Sequence, residues 1–344
     1  MNNEEKLIKM LKYVSEHNDF YKNRIKEYGI TNPLDITQWP ILTRKELQNN
    51  RHSIFSDGYR TQYLCHQLLL TASSGTTGHP IGVYWDHRDY YNSMMSLWRK
   101  RKAWYSISPS DKRIMFTLSH TNKVNRLDEV LSLETSNRLM FNAASLTSEN
   151  AYNAVIKYIL DFQPKWIYIQ PFILEQLIYY FKKSGVKCPN SLKHIESVGE
   201  VLNDELRNKV QDFFGISIVN LYGSEEHGGI AYECPNGAMH VLDENVYVEA
   251  GALITNINNH AFPLIRTAFL SASKFSKIVI NMQSFLQIIY HSITTEVVSV
   301  DIQSLQVMIQ DVFLYHSSIT PKTWYFYHIT ENQPIDIFFL SKSI

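Results

Sequence analysis

Residues 71–80 read Thr71-Ala72-Ser73-Ser74-Gly75-Thr76-Thr77-Gly78-His79-Pro80, a run of hydroxyl side chains and glycines with almost no bulky side chain. Glycines let a backbone approach a ligand closely, and hydroxyls donate hydrogen bonds to phosphate oxygens. Apolar residues flank the run at 68–70 and 81–85, so it is predicted to join two strands as a hairpin. It lacks the Gly-Lys-Ser/Thr ending of a Walker loop, which argues against a nucleoside triphosphatase of that type. Two interpretations of the residues alone stay open, a phosphate-binding loop and a Ser/Thr-rich surface turn.

Composition and charge narrow the class of protein. The 33 basic and 33 acidic residues balance, which does not favour nucleic acid or a membrane surface as a partner. Three widely spaced cysteines, Cys65, Cys188 and Cys234, predict neither a disulfide framework nor a redox motif. The first residues lack the order of a signal peptide, and no apolar run reaches the about 18 residues of a membrane span. We therefore expect a cytoplasmic protein of about two domains.

Apolar periodicity predicts helices that alternate with strands. Two amphipathic helices are predicted over residues 4–28, and Thr43 with Glu46 forms a capping box for another helix. A helix over residues 90–105 ends in the charge run 99–102, which we interpret as a solvated helix end rather than a nucleic-acid surface. Strands are predicted over 114–118, 165–169, 194–198 and 216–221, and helices over 151–162, 172–183 and 203–214. This alternation favours a mainly parallel sheet, with ligands at the carboxyl ends of its strands.

Two further segments fall at such strand ends, Ser197-Val198-Gly199-Glu200 and Leu221-Tyr222-Gly223-Ser224-Glu225-Glu226. With the loop at 71–80, their order and spacing resemble the adenylate-forming superfamily of acyl-CoA synthetases, peptide-synthetase adenylation domains and luciferases. The segments at 20–21, 39–47, 231–234 and 262–266 resemble its phenylacetate-CoA ligase or CapK-like branch. The resemblance runs from about residue 10 to 266. It implies an α/β fold, with a large ATP- and acid-binding domain of mainly parallel sheets and flanking helices at 1–266. A reduced small α+β C-terminal domain, divergent or truncated, is expected at 267–344.

The resemblance also implies a reaction and a role for each segment. A carboxylic acid would be activated by ATP as an acyl-adenylate and then transferred to coenzyme A, an amine or a carrier protein. The residues that would hold the β and γ phosphates are Ser73, Ser74, Gly75, Thr76, Thr77 and Gly78. Those that would frame the adenine and the α-phosphate are Gly199, Glu200, Tyr222 and Gly223, with Ser224 and Glu225 beside them. Glu226 would bind Mg²⁺ and act in catalysis with Thr76 and His120. His120 would lie in the acyl pocket, and a structural role for this residue stays open.

The sequence departs from the family in three places. Glu225 stands where the family has Thr or Ser. Cys234 and His240 resemble part of a zinc site, but no further cysteine follows, so zinc is not expected. No glycine occurs after Gly251, so the family's Gly-Asp and Gly-Arg motifs are absent from the tail. Two functions therefore stay open, an acid-activating ligase and a catalytically weakened relative that binds a nucleotide, an acid or a protein partner. A frame-shifted or truncated gene is a further explanation of the tail.

Overall fold

The computed structural model describes residues 2–72, 82–117, 125–127, 130–249 and 253–267. The predicted small domain at 267–344 lies outside the described residues, apart from Thr267, and its boundary stays a prediction. The loop residues 73–81 and His120 also lie outside them. Within the described ranges, no helix has both the length and the apolar character needed to cross a bilayer.

The chain begins with two helices, α1 (Asn3–His17) and α2 (Asp19–Glu27). Asn18 separates them because its side chain accepts a hydrogen bond from the amide of Tyr21 and so caps α2. Two short helices follow, α3 (Arg44–Asn49) and α4 (Tyr59–Leu64), and the predicted capping box starts α3. The prediction of two leading helices and of this capping box is confirmed.

A two-stranded hairpin follows, as predicted. Strand β1 (Leu69–Ala72) pairs antiparallel with β2 (Gly82–Trp85), and Ala72 lies opposite Gly82 at the end of the ladder. Residues 73–81 therefore connect two strands whose ends lie side by side. Helix α5 (His87–Tyr105) comes next, with the side chain of Asp86 capping its first turn.

A nine-stranded sheet forms the centre of the described fold. Its strands are β3 (Arg113–Thr117), β4 (Asn125–Leu127), β5 (Val130–Thr135), β6 (Arg138–Asn142), β7 (Trp166–Ile169), β8 (His194–Val198), β9 (Ile218–Ser224), β10 (Gly228–Glu233) and β11 (Met239–Val241). Their order is β11-β10-β9-β8-β7-β3-β6-β5-β4. The middle strands from β9 to β6 are parallel, whereas the strands at both edges are antiparallel. The predicted α/β class with a mainly parallel central sheet is confirmed, while the edge hairpins were not predicted.

Helices cover both faces of this sheet. On one face, α6 (Glu149–Phe162), α7 (Pro171–Ser184) and α8 (Asp204–Phe214) bury the largest apolar cluster against the parallel strands. On the other face, Leu97 of α5 packs with Val219 and Leu221 of β9. Successive residues of a strand point to opposite faces, which is why Ile218 joins the first cluster and Val219 the second. A small antiparallel pair, β12 (Val246–Val248) and β13 (Ile254–Asn256), lies outside the main sheet.

The interpretation of the charge run as a solvated helix end is wrong for one residue. Arg101 is only 3% exposed and forms a bidentate ion pair with Glu196 of β8, which is fully buried. Its guanidinium also lies 4.5 Å from the ring centre of Trp98 and 5.0 Å from that of Trp166. Arg101 follows Leu97 by four residues, so both side chains lie on the face of α5 that packs on the sheet. Helical spacing, and not charge, decides its position.

Candidate functional site

Gly199 and Glu200 lie where β8 ends, as the sequence predicts. Gly199 has a φ of +85°, a backbone conformation that glycine adopts far more readily than other residues. The carboxylate of Glu200 accepts a hydrogen bond of 3.1 Å from the amide of Phe172. That amide belongs to the first turn of α7, where backbone N–H groups lack partners within the helix. The turn after β8 is thus tied to the start of the helix that follows β7.

Tyr222, Gly223 and Ser224 lie inside β9 and not after it, because the strand continues to Ser224. This extension passes the end of β8, whose last residue pairs with Leu221. Among the described strands it pairs only with β10. Gly223 lies opposite Gly229, and a Cβ atom on Gly223 would stand 2.6 Å from the carbonyl oxygen of Gly228. No other residue fits there without moving the backbone. Burial raises the pKa of the Tyr222 hydroxyl, which therefore stays neutral.

Glu225, Glu226 and His227 form the turn that joins β9 to β10, and we call them the acidic turn. Glu226 is only 5% exposed, and among the described residues none donates a hydrogen bond to its carboxylate or pairs with it. Glu225 reaches solvent, yet desolvation, followed by the charge of Glu226, raises the pKa of its carboxyl group. The turn therefore carries one buried and one exposed carboxylate.

The acidic turn is bonded to the hairpin. The hydroxyl of Thr71 in β1 donates a hydrogen bond of 2.8 Å to the carbonyl oxygen of Glu225. The same hydroxyl accepts a hydrogen bond of 3.3 Å from the indole of Trp85 in β2. Because residues 73–81 connect β1 to β2, these two bonds hold the base of the predicted phosphate loop beside the acidic turn.

Sequence reasoning missed His227, which is fully buried within this turn. Its Nδ1 lies 3.1 Å from Ser224 Oγ, and its Nε2 lies 2.9 Å from Thr267 Oγ1. Burial lowers the pKa of His227 to about 3, so the ring is neutral at physiological pH. A single histidine shows no diagnostic spacing, and the bond to Thr267 joins residues 40 positions apart, so no local signal marked it.

The structure brings some predicted site residues together and leaves others undescribed. Seven of the predicted residues lie on the adjacent strands β8 and β9 or in the turns that follow them: Gly199, Glu200, Tyr222, Gly223, Ser224, Glu225 and Glu226. Outside the described residues lie Ser73, Ser74, Gly75, Thr76, Thr77, Gly78 and His120. Cys234 and His240 sit near the far end of the β10–β11 hairpin, where the His240 ring packs against Trp104.

The donor set of the acidic turn fits a hard divalent cation. A buried carboxylate is normally paired or bound to a metal, and carboxylate oxygens are the ligands that Mg²⁺ prefers. Within the described ranges, no group of three or more His, Cys, Asp or Glu side chains could hold a metal ion without other ligands. Mg²⁺ commonly binds through one or two carboxylates together with water and substrate phosphates. Glu226 suits that mode.

Comparison with known proteins identifies the family to which the chain belongs. A model of the family described as AMP-binding enzyme matches residues 66–259, which is more than half of the chain. The chain belongs to the AMP-binding enzyme family, and the predicted resemblance to adenylate-forming enzymes is confirmed. The phenylacetate-CoA ligase or CapK-like branch stays a prediction. No match was found among curated proteins.

Solved structures of 2-hydroxyisobutyryl-CoA ligase share the fold. Its open conformation with 2-HIB-AMP and CoA gives a TM-score of 0.59 at 14% identity, over 77% of this chain and 62% of that one. Its thioesterification state, with the same ligands, gives 0.59 at 16% identity, over 77% of this chain and 61% of that one. This chain thus spans less than two thirds of the ligase's length. Identity this low shows likeness of fold alone.

Proposed function

We propose that this protein uses ATP to convert a carboxylic acid into an acyl-adenylate and then transfers the acyl group to coenzyme A or another nucleophile. One observation carries the proposal. The buried carboxylate of Glu226 has no donor among the described residues, and its turn is hydrogen-bonded to Thr71, the β1 residue at which the Ser/Thr/Gly segment begins. A cation-binding carboxylate next to a phosphate-binding loop is the arrangement that a nucleoside triphosphate requires.

The chemistry explains why these residue types are needed. A carboxylate oxygen of the acid attacks the α-phosphorus, the bond from that phosphorus to the bridging oxygen breaks, and pyrophosphate leaves with the electron pair. In the second step a thiolate sulfur attacks the acyl carbon, the carbon–oxygen bond breaks, and AMP leaves. The first step moves negative charge from one oxygen to another and the second moves it from sulfur to oxygen, so neutralisation and positioning supply most of the catalysis.

Each segment then has a proposed part. The residues at 73–78, Thr76 among them, hold the β and γ phosphates through hydroxyl and amide donors. Gly199, Glu200, Tyr222, Gly223 and Ser224 line the adenine and the α-phosphate at the ends of β8 and β9. Glu226 would hold Mg²⁺, which would supply neutralisation of negative charge on the phosphates. His120 is proposed for the acyl pocket.

Glu225 is the departure that this proposal must accommodate. A second carboxylate beside a triphosphate costs Coulomb energy. Its raised pKa and its exposed position both reduce that cost, because the group is protonated more easily than an ordinary carboxylate and can turn toward solvent. We propose that Glu225 lies beside the nucleotide without binding the cation.

Pyrophosphate release with a panel of aryl, acyl and amino acids tests this function. We expect ATP- and acid-dependent release by the parent, reduced about 10²- to 10³-fold by Glu226→Gln. The matched variant Glu225→Gln should stay within about fivefold of the parent, since one exposed neighbouring charge contributes less than about 1 kcal/mol. Equal rates for Glu226→Gln and the parent would overturn the metal assignment. If no acid supports release although ATP binds, the protein is instead a weakened, nucleotide-binding relative.

A further inference from the structure

His227 is the most extensively bonded residue of the acidic turn. It follows Glu226 directly, and its ring bridges Ser224 at the end of β9 to Thr267, beyond β13. Its amide also donates a hydrogen bond of 3.2 Å back to Ser224 Oγ. One side chain therefore closes the turn on itself and fixes it to a separate segment of the chain.

The hydrogen bonds of this bridge are consistent with only one set of directions. Thr267 Oγ1 donates to the carbonyl oxygen of Ile254 at 2.9 Å, so it must accept from His227 Nε2–H. The neutral ring then carries its lone pair on Nδ1, which accepts from the hydroxyl of Ser224. Every polar atom of the ring is satisfied inside a region that water does not reach.

A second buried side chain holds the backbone of the same turn. Asn245, itself fully buried, donates from Nδ2 to the carbonyl oxygens of His227 at 2.9 Å and Gly229 at 2.8 Å. Asn245 Oδ1 accepts in turn from Asn258 Nδ2 at 3.2 Å. The residues that follow Glu226 are thus held through both backbone and side chain, whereas the Glu226 carboxylate has no described donor.

We propose that His227 is a positioning residue that holds the Glu226 carboxylate in the place where the cation of the nucleotide binds. The inference rests on the proposed function. A ligand carboxylate must be oriented by its surroundings, and loss of such support commonly costs about 10- to 100-fold in metal affinity or activity. Here the backbone next to Glu226 supplies that orientation, because His227 allows the turn little other geometry.

Three substitutions of His227 remove the hydrogen bonds of its ring to Ser224 and Thr267, either together or one at a time. His227→Phe keeps a planar ring and removes both bonds. His227→Gln places an amide nitrogen near the Nε2 position and keeps a donor to Thr267, while His227→Asn places an oxygen near Nδ1 and keeps an acceptor for Ser224. Removal of one bond at a time separates positioning from mere filling of the cavity.

Calorimetric titration with ATP, with and without Mg²⁺, tests the proposal without relying on turnover. We expect His227→Phe to reduce the Mg²⁺-dependent gain in ATP affinity by about tenfold, with metal-free ATP affinity changed by less than about twofold. His227→Gln and His227→Asn should lie between His227→Phe and the parent. A folded His227→Phe variant that keeps the full Mg²⁺-dependent gain would overturn the inference. A role in stability alone would lower the melting temperature and leave this ratio unchanged.

Two further arms keep the test decisive. If His227→Phe does not fold, Thr267→Val takes its place as the test variant, because it removes the hydroxyl that accepts from His227 Nε2. Thr267→Ser is the matched control that keeps the hydroxyl. The inference is supported if the Mg²⁺-dependent gain in ATP affinity is reduced in Thr267→Val but not in Thr267→Ser. Equal gains in the two variants overturn it. A parent protein that binds no ATP would refute the proposed function itself, and a parent whose ATP affinity ignores Mg²⁺ would refute the role of Glu226 and this inference together.

Discussion

The hydroxyl of Thr71 donates a hydrogen bond of 2.8 Å to the carbonyl oxygen of Glu225, 154 positions further along the chain. Trp85 orients that hydroxyl from the opposite strand of the hairpin. This bond therefore ties the acidic turn, which is proposed to hold the cation, to strand β1 before a ligand arrives. Organisation of this kind reduces the ordering cost that binding would otherwise incur.

Replacement of Thr71 by valine tests this link. Thr71→Val removes the donor at nearly constant volume and leaves the Glu225 carbonyl unpaired, at a cost of about 1 kcal/mol. We expect ATP affinity in the presence of Mg²⁺ to fall about fivefold, as measured by calorimetry. Thr71→Ser keeps the hydroxyl and should bind like the parent. Equal binding by Thr71→Val and Thr71→Ser would show that the link has no part in nucleotide binding.

Gly223 should tolerate no side chain. Gly223→Ala places a Cβ atom 2.6 Å from a backbone oxygen, so β9 or β10 must shift. Overpacking of this kind costs about 3 kcal/mol of the free energy of unfolding. Gly58→Ala is the control, because Gly58 has a φ of +82° but open space around it, and left-handed strain alone costs about 1–2 kcal/mol. Chemical denaturation measures the free energy of unfolding of both variants. If Gly223→Ala is no less stable than Gly58→Ala, the described packing of β9 against β10 at Gly223 is contradicted.

The buried ion pair makes a third prediction. Arg101→Met leaves the Glu196 carboxylate uncompensated and should lower the free energy of unfolding by about 3–5 kcal/mol. The double variant Arg101→Met/Glu196→Leu should recover most of that loss, since Tyr232 keeps His194 Nε2 as a partner at 3.3 Å. Urea unfolding of the single and double variants measures the difference. If the changes in the free energy of unfolding of the two single variants sum to the change in the double variant, the two charges do not interact.

His194 predicts a dependence of stability on pH. Burial, followed by the charge of Arg101, lowers the pKa of His194 to about 4 from an ordinary 6.5, despite the opposing charge of Glu196. Between these values the unfolded chain binds a proton that the folded chain does not. This contribution to stability is therefore complete above pH 6.5 and is lost as the pH falls toward 4, by about 1.4 kcal/mol per pH unit.

Urea unfolding between pH 7 and pH 5 checks the expected slope. His194→Gln should flatten it by about 2 kcal/mol over that interval, because only the parent loses this contribution. The same slope in His194→Gln and the parent would mean that His194 does not titrate as described.

Local signals predicted the central elements well. Strand β8 was predicted at its observed bounds, and the helix before Gly215 was predicted to within one residue, because an apolar period and a glycine at positive φ define them. The antiparallel edges β4 to β6 were missed, since strands of three to six residues have short patterns and their pairing depends on distant partners.

The site shows the same division between local and distant information. The motif at Tyr222 and the glycine after β8 are visible in sequence because they use residue types that a strand end requires. The burial of Arg101 and the bridge through His227 depend on partners 95 and 40 positions away. No local pattern indicates such pairs, and the charge run around Arg101 suggested the opposite environment.

The most direct test of the account is the affinity for ATP of the parent and of Glu226→Gln, measured by calorimetry with and without Mg²⁺. We expect that the parent binds ATP and that Mg²⁺ strengthens this binding by about tenfold or more, whereas Glu226→Gln binds ATP with most of that gain lost. Failure of the parent to bind ATP, or an equal gain with Mg²⁺ in both proteins, would contradict it.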